Sequence, residues 1–181
     1  MKDTGQEPVF SRKVLEMITV SNEFCIFIEE SGKYDTLQIL AYLERVVPLL
    51  YLKGSLLPEV EISDETANER FITEEQWETC FNALKEKFGK IDAFYMNENA
   101  GEKEVHKYSL AESITDIYQD LRDFVYLYQR NTMAARENAV SSCKTLFEGR
   151  WGYCAIRIMQ AIHFILYGKN ALNGLPGYLN N

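Results

Sequence analysis

The chain is 181 residues long, with 46% hydrophobic and 25% charged side chains and a formal net charge of -8. That length suits one helical domain over 1–181 with a core of its own, the apolar content argues against disorder, and the acidic balance argues against nucleic acid, whose binders need a basic footprint. No stretch reaches the roughly 18 apolar residues of a membrane span, and the start MKDTGQEPVF has no basic-then-apolar leader pattern. A cytoplasmic protein is expected, with residues 1–7 disordered.

The charge is uneven. Arg122 to Lys169 carries seven Lys or Arg against three Asp or Glu, whereas Glu59 to Glu78 carries eight acids and one arginine. The two regions are expected to pair with each other or to be solvated, and the acidic run is also a candidate docking surface for a partner. Cys25, Cys80, Cys143 and Cys154 lie far apart in apolar helical patterns with no CxxC pair, so reduced, buried thiols are expected.

In chain order, PVFSRKVLEMITVSNEFCIFIEES from Pro8 to Ser31 reads as a long amphipathic helix with only a narrow polar strip. A second helical pattern opens near Asp35 and meets Pro48, which implies either one kinked helix or two short ones before Pro58. Residues 59–72 are polar and aperiodic, a long acidic loop. Thr73 to Gln76 is a capping box that starts a helix through Trp77, Phe81, Leu84 and Phe88, and Gly89 ends it.

IDAFYM, 91–96, reads as a short extended segment without a partner, and 97–108 as a loop. Ser109 to Glu112 then caps a helix whose apolar face is Ile114, Ile117, Leu121, Phe124, Val125 and Tyr128. A last helical region from Thr132 to Tyr167 is broken near Gly149 or Gly152 and is apolar almost all round after Trp151, as befits a central helix or an oligomer interface. The sum is an all-α, single-domain bundle of five or six helices, with at most one short extended segment near 91–96.

Glu112, Asp116, Asp120 and Asp123 form a ladder of carboxylates within about a quarter turn of a helical wheel, opposite the centre of that apolar face. The ladder is expected to be a solvated helix face whose neutralisation leaves stability nearly unchanged. A metal site, formed by Asp116 and Asp120 with Glu23 or Glu16 from the first helix, is the rival, although the Glu-x-x-His pair typical of bundle metal sites is absent. His106 and His163 have no adjacent aspartate, and no GxSxG, P-loop or GxGxxG occurs, so neither cofactor nor reaction is named by a motif. His163, at the margin of an apolar face, reads as structural, and Trp151 as core. Tyr118, Tyr126 and Tyr128 are candidates to border a groove.

Three stretches, LYLKGSLLPEVE at 50–61, SLAESITDIYQDLRDF at 109–124 and RWGYCAIRIMQAIH at 150–163, resemble the DUF5063 family of bacterial domains of unknown function. The D-I-Y-x-D-L element of that resemblance is Asp116, Ile117, Tyr118, Asp120 and Leu121, followed by the W-G of Trp151 and Gly152 and a loose match to a terminal A-x-x-x-H at Ala161 to His163. Where the family has an aromatic-acidic segment ending in Phe-Asp, this chain reads AFYMNENAG. The resemblance implies a helical fold and no activity, and it singles out Asp116, Tyr118, Asp120, Trp151 and His163 as candidate functional positions.

The leading expectation is a non-enzymatic helical module that binds another protein, with a homodimer compatible with the apolar last helix. The alternatives are a metal-dependent hydrolase with inward carboxylates and a sensor holding a small apolar or aromatic ligand between helices.

Overall fold

Most of the helices start at a side chain that can cap them. In this computed structural model, which describes residues 7–97, 101 and 103–168, Asp35 opens α2 (Thr36–Ser55): its carboxylate accepts from the Gln38 N–H at 2.9 Å and the Gln38 side chain accepts from the Asp35 N–H at 2.9 Å. Thr73 and Gln76 make the same reciprocal box at the start of α3 (Glu74–Phe88), which satisfies two backbone donors left over by the first turn. Ser109 caps α4 (Leu110–Gln129) and Thr132 caps α5 (Met133–Leu146). α1 (Arg12–Glu29) begins without a side-chain cap bond, at Ser11.

The expected kink at Pro48 is not a break. Pro48 lies on the exposed side of α2, where its ring meets solvent instead of the core, and the helix runs through it. Helix α3 stops at Gly89, whose φ of +51° is a backbone conformation that glycine adopts without strain. The final region is broken where the glycines suggested: α5 passes through a π-helical turn, Phe147–Trp151, into α6 (Gly152–Tyr167). Among the described residues, counting α5 and α6 separately gives six α-helices and counting them as one rod gives five, so the all-α bundle expected from the sequence is what forms.

The extended segment at 91–96 does have a partner. β1 (Ala93–Met96) pairs antiparallel with β2 (His106–Ser109), Ala93 opposite Ser109 and Met96 opposite His106. The loop expected over 97–108 therefore ends in a strand, which the sequence hid because HKYS is too short and too polar to show alternation. The expected disorder over 1–7 lies, Glu7 apart, outside the described residues.

Helix α4 is the axis of the bundle, with α1, α3, α5 and α6 all packed on it and α2 laid across α1 and α6. Fifteen of its twenty residues are buried. Trp151, Phe24, Met17, Leu50, Ile39 and Ile114 are among the largest wholly buried side chains of one continuous core. Ile158 is wholly buried too, as the α6 periodicity expected. At the base of that core α2 approaches the π turn so closely that a Cβ on Gly54 would stand 2.4 Å from the Trp151 ring and 2.8 Å from that of Phe147. Among the described residues no helix is long and apolar enough to cross a membrane.

Candidate functional site

The carboxylate ladder is not a solvated face. A helix packed on four sides leaves little surface for water, and the two polar rows of α4 are accommodated by pairing. On the row facing α1, Arg122 is buried and its guanidinium meets Glu29 at 2.6 and 2.8 Å and the Asn22 side chain at 3.0 Å, while the Tyr118 hydroxyl donates to Glu29 at 3.0 Å. Burial and the Glu29 carboxylate beside it push the Tyr118 phenol well above its usual range.

The opposite row is the ladder itself. Asp120 is 1% exposed, Asp123 7% exposed and Asp116 partly buried, so only Glu112 remains on the surface as expected. Asp116 accepts from the Trp77 indole N–H of α3 at 3.1 Å and from Arg150 of the π turn at 3.2 Å. Asp123 accepts the backbone N–H groups of Phe71 and Ile72 at 2.7 and 2.9 Å on one oxygen and the Arg70 Nε at 2.9 Å on the other. Between them, Oδ1 of Asp120 receives Arg70 Nη2 at 2.9 Å and lies 3.2 Å from Arg150 Nη1. Oδ2 of Asp120 accepts no hydrogen bond from the described residues. Burial raises the Asp120 carboxyl to about 6, against the pull of Arg150 and Arg70.

Together these contacts make a joint. One row of α4 fixes α3 through Trp77, the π turn through Arg150 and the acidic segment through Arg70 and two backbone amides. The segment over 59–72 is accordingly a strap drawn across α4 and α5. Its Ser63 donates to Glu137, its Asp64 carbonyl accepts from Asn138 at 2.7 Å, and Glu59 and Glu69 pair with Lys144 and Arg130 at 2.6 and 3.3 Å. Acidic strap and basic C-terminal third thus do pair in part, as the charge distribution allowed. Those two ion pairs are exposed on at least one side, so they are worth little, and the buried Asp123 and Asp120 contacts hold the strap.

Between the strap, α4 and α5 lies a cleft of about 380 Å³, lined by Asp120, Asp123, Arg70, Phe124, Leu127 and Leu146 among others. Asp120, the ladder residue with an unused acceptor, is among its lining residues.

The remaining candidate positions are not brought into this joint. Trp151 is core: its indole N–H donates to the Cys143 carbonyl at 3.1 Å, closing the π turn against α5. His163 lies twelve residues further along α6, about 18 Å at 1.5 Å per residue, exposed beside Phe164 and Tyr167. Glu23, the proposed partner of Asp116 and Asp120 in the metal reading, is exposed on α1, which meets the other row of α4. Among the described residues no three His, Cys, Asp or Glu side chains converge as metal ligands, and the positive charge beside Asp116 and Asp120 is that of Arg70 and Arg150.

Several residues that carry the arrangement were missed. Arg70, Trp77 and Arg150 lie more than thirty positions from their partners, and only their residue types, arginine and tryptophan near an acidic ladder, hinted at it. Asp92, 1% exposed, accepts from the Ser109 hydroxyl and the Ala111 N–H at 2.9 Å each and from Lys85, which ties β1 to the first turn of α4.

The crystal structure of protein BF1032 from Bacteroides fragilis is similar over 89% of this chain and 96% of that one, at 28% identity and a TM-score of 0.80. No curated protein matches the sequence. A family model spans residues 8–168, covering the bundle and the strap alike, and the chain therefore belongs to the family described as Domain of unknown function (DUF5063).

Proposed function

We propose that the protein is a cytoplasmic helical module that acts by recognition and not by catalysis, and that its recognition face is the outer stripe of α6, occupied by a second copy of the chain. The observation that carries this reading is the composition of that stripe. Tyr153, Ile156, Gln160, His163, Phe164 and Tyr167 are the exposed residues of α6, they fall within about 100° of one another on the helix, and none is an Asp, Glu, Lys or Arg. Phe164 is 61% and Tyr153 56% exposed. The stripe continues toward Phe94, Tyr95 and Met96 of the hairpin, which share a groove with Gln160 and Phe164.

Exposed apolar surface of this extent marks an interaction site. A molecule of net charge -8 repels its own copies over most of its surface, and an uncharged stripe is where two copies can meet without opposing like charges. Recognition is favoured over catalysis because the chemistry-bearing groups are committed elsewhere. Asp116 and Asp123 are engaged by Trp77, Arg150 and Arg70, and burial pushes the Cys80 and Cys154 thiols up to about 11 and those of Cys25 and Cys143 further, away from thiolate reactivity. Four free cysteines suit a reducing compartment, and on that ground the cytoplasm is the location proposed.

Light scattering across a concentration series tests the reading. The parent is expected to reach twice the monomer mass with rising concentration, and Phe164→Glu, at an exposed position, to stay monomeric with an unchanged circular dichroism spectrum. A parent that remains monomeric at every concentration overturns the second copy as occupant.

A further inference from the structure

We infer that two copies of the chain pair through α6 laid antiparallel on α6 of the partner, with the two-fold axis of the dimer passing between the two Gln160 side chains. The inference rests on the reading of the α6 stripe as the place where a second copy binds, and adds which residues meet there.

The stripe reads the same in both directions. From Tyr153 the positions on it step by three to Ile156, by four to Gln160, by four to Phe164 and by three to Tyr167, so Gln160 stands at the centre with an exposed aliphatic or aromatic side chain four and seven residues away on each side. Ile156, the least exposed of those four, still shows 44% of its surface. A closed two-fold interface is one patch used twice, residue i on residue j and j on i. A helix that crosses such an axis antiparallel to its mate therefore needs a palindrome of exposed positions. Here Ile156 lies beside the partner's Phe164 and Tyr153 beside the partner's Tyr167, each contact occurring twice. Among the described residues of α6, no other exposed position has exposed apolar neighbours at both distances on both sides.

Gln160 suits the axis chemically as well. A carboxamide carries both donor and acceptor, so two of them facing each other across a two-fold exchange hydrogen bonds, which two carboxylates or two ammoniums cannot do. Charge fixes the position further. Arg157 is the one Asp, Glu, Lys or Arg residue of α6, and it stacks over the Tyr108 ring of β2 at 4.4 Å. With the axis at Gln160 the two Arg157 side chains are six residues apart along the helix pair, about 9 Å, whereas an axis shifted toward residue 157 would set like charges opposite each other. The hairpin shares a groove with Arg157, Ala161 and Phe164, the flank of α6 on one side of Gln160, and a two-fold perpendicular to the helices leaves both hairpins on the same side of the pair. Phe94, Tyr95 and Met96 thus extend the apolar surface along one edge of the interface.

Disulfide cross-linking of the full chain tests the pairing, with light scattering on the same samples. Helices packed face to face at about 8–10 Å bring the two residues on the axis to a Cα separation of about 4–5 Å, near the span of a disulfide. The two copies of residue 153 stand fourteen residues apart along the pair, about 21 Å, beyond that span. Under a mild oxidant Gln160→Cys is expected to become mostly covalent dimer. Tyr153→Cys and Tyr167→Cys are each expected to stay uncrosslinked alone and to join when mixed, and the parent, whose cysteines are buried or half-buried, to stay uncrosslinked. A parent that is dimeric by light scattering while Gln160→Cys fails to cross-link, or while Tyr153→Cys or Tyr167→Cys cross-links with itself as a parallel pair would, overturns this pairing and leaves the α6 interface standing. A parent that is monomeric at every concentration overturns both. If Gln160→Cys loses its fold by circular dichroism, the mixture decides, and if a tyrosine variant no longer dimerises, Gln160→Cys decides.

Discussion

Arg70 holds Asp120 and Asp123 with one guanidinium, Nη2 at 2.9 Å from Oδ1 of the first and Nε at 2.9 Å from Oδ2 of the second. The two aspartates are three residues apart on α4 and so present themselves side by side, and the planar fork of an arginine spans that spacing where a lysine ammonium would not. The strap is thereby fixed to the axis of the bundle at one point.

Arg70→Met should accordingly destabilise the protein by about 2 kcal/mol. Removing one partner of a buried ion pair usually costs about 3–5 kcal/mol, and the loss is smaller here because Arg70 is half exposed and Arg150 still faces Asp120. Urea unfolding of parent and variant measures the difference. Equal midpoints would mean that the backbone amides of Phe71 and Ile72 hold the strap alone.

Gly54→Ala tests the close approach of α2 to the π turn. A methyl group there would overlap the Trp151 ring, which is wholly buried and tied to Cys143, and so cannot swing aside. Overpacking of this kind costs about 1–3 kcal/mol, outweighing the roughly 1 kcal/mol that alanine gains over glycine within a helix. A lower melting temperature is expected, whereas the same substitution at Gly149, which has open space around it, should be neutral or stabilising.

The pH dependence of stability carries the signature of Asp120. Its carboxyl is raised by burial to about 6 in the folded chain and returns to about 3.9 on unfolding. Between those values the folded state holds a proton that the unfolded state releases, so this contribution is fully present at low pH and is lost as the pH rises through about 6. Glu16, Asp64 and Glu137, each lowered by side-chain hydrogen bonds, act in the opposite sense, so the informative quantity is the parent minus Asp120→Asn. That difference in unfolding free energy should decline by about 1–3 kcal/mol from pH 4 to pH 7. A flat difference would show that the carboxyl is not raised.

What the sequence disclosed was local. The box at Thr73, the start near Asp35, the stop at Gly89 and the break before Trp151 each depend on residues within one turn of each other, and all are present, while at Ser109 the expected box is reduced to the Ser109 side chain accepting from the Glu112 N–H. The ladder was misread because a helical wheel assigns one buried and one wet side, and fifteen of the twenty residues of α4 are buried, on every side of it. Nothing within SLAESITDIYQDLRDF distinguishes an acid that meets water from one that meets an arginine fifty residues away, as Asp120 and Asp123 do. β2 was invisible for the same reason, since four polar residues acquire strand geometry only from their pairing with β1.

The π turn at Phe147–Trp151 has a consequence for comparing relatives. A π turn closes its hydrogen bonds over five residues where an α turn uses four, so it takes up one additional residue while the helices on either side keep their orientation. A family member with a continuous helix here should therefore differ by a gap of one residue, opened between 147 and 151 and nowhere else in the rod. Aligned without that gap, every position of α6 would be displaced by about 100° around the helix, exchanging outer positions such as Phe164 for inner ones such as Ile165 in any pairwise comparison of surface character.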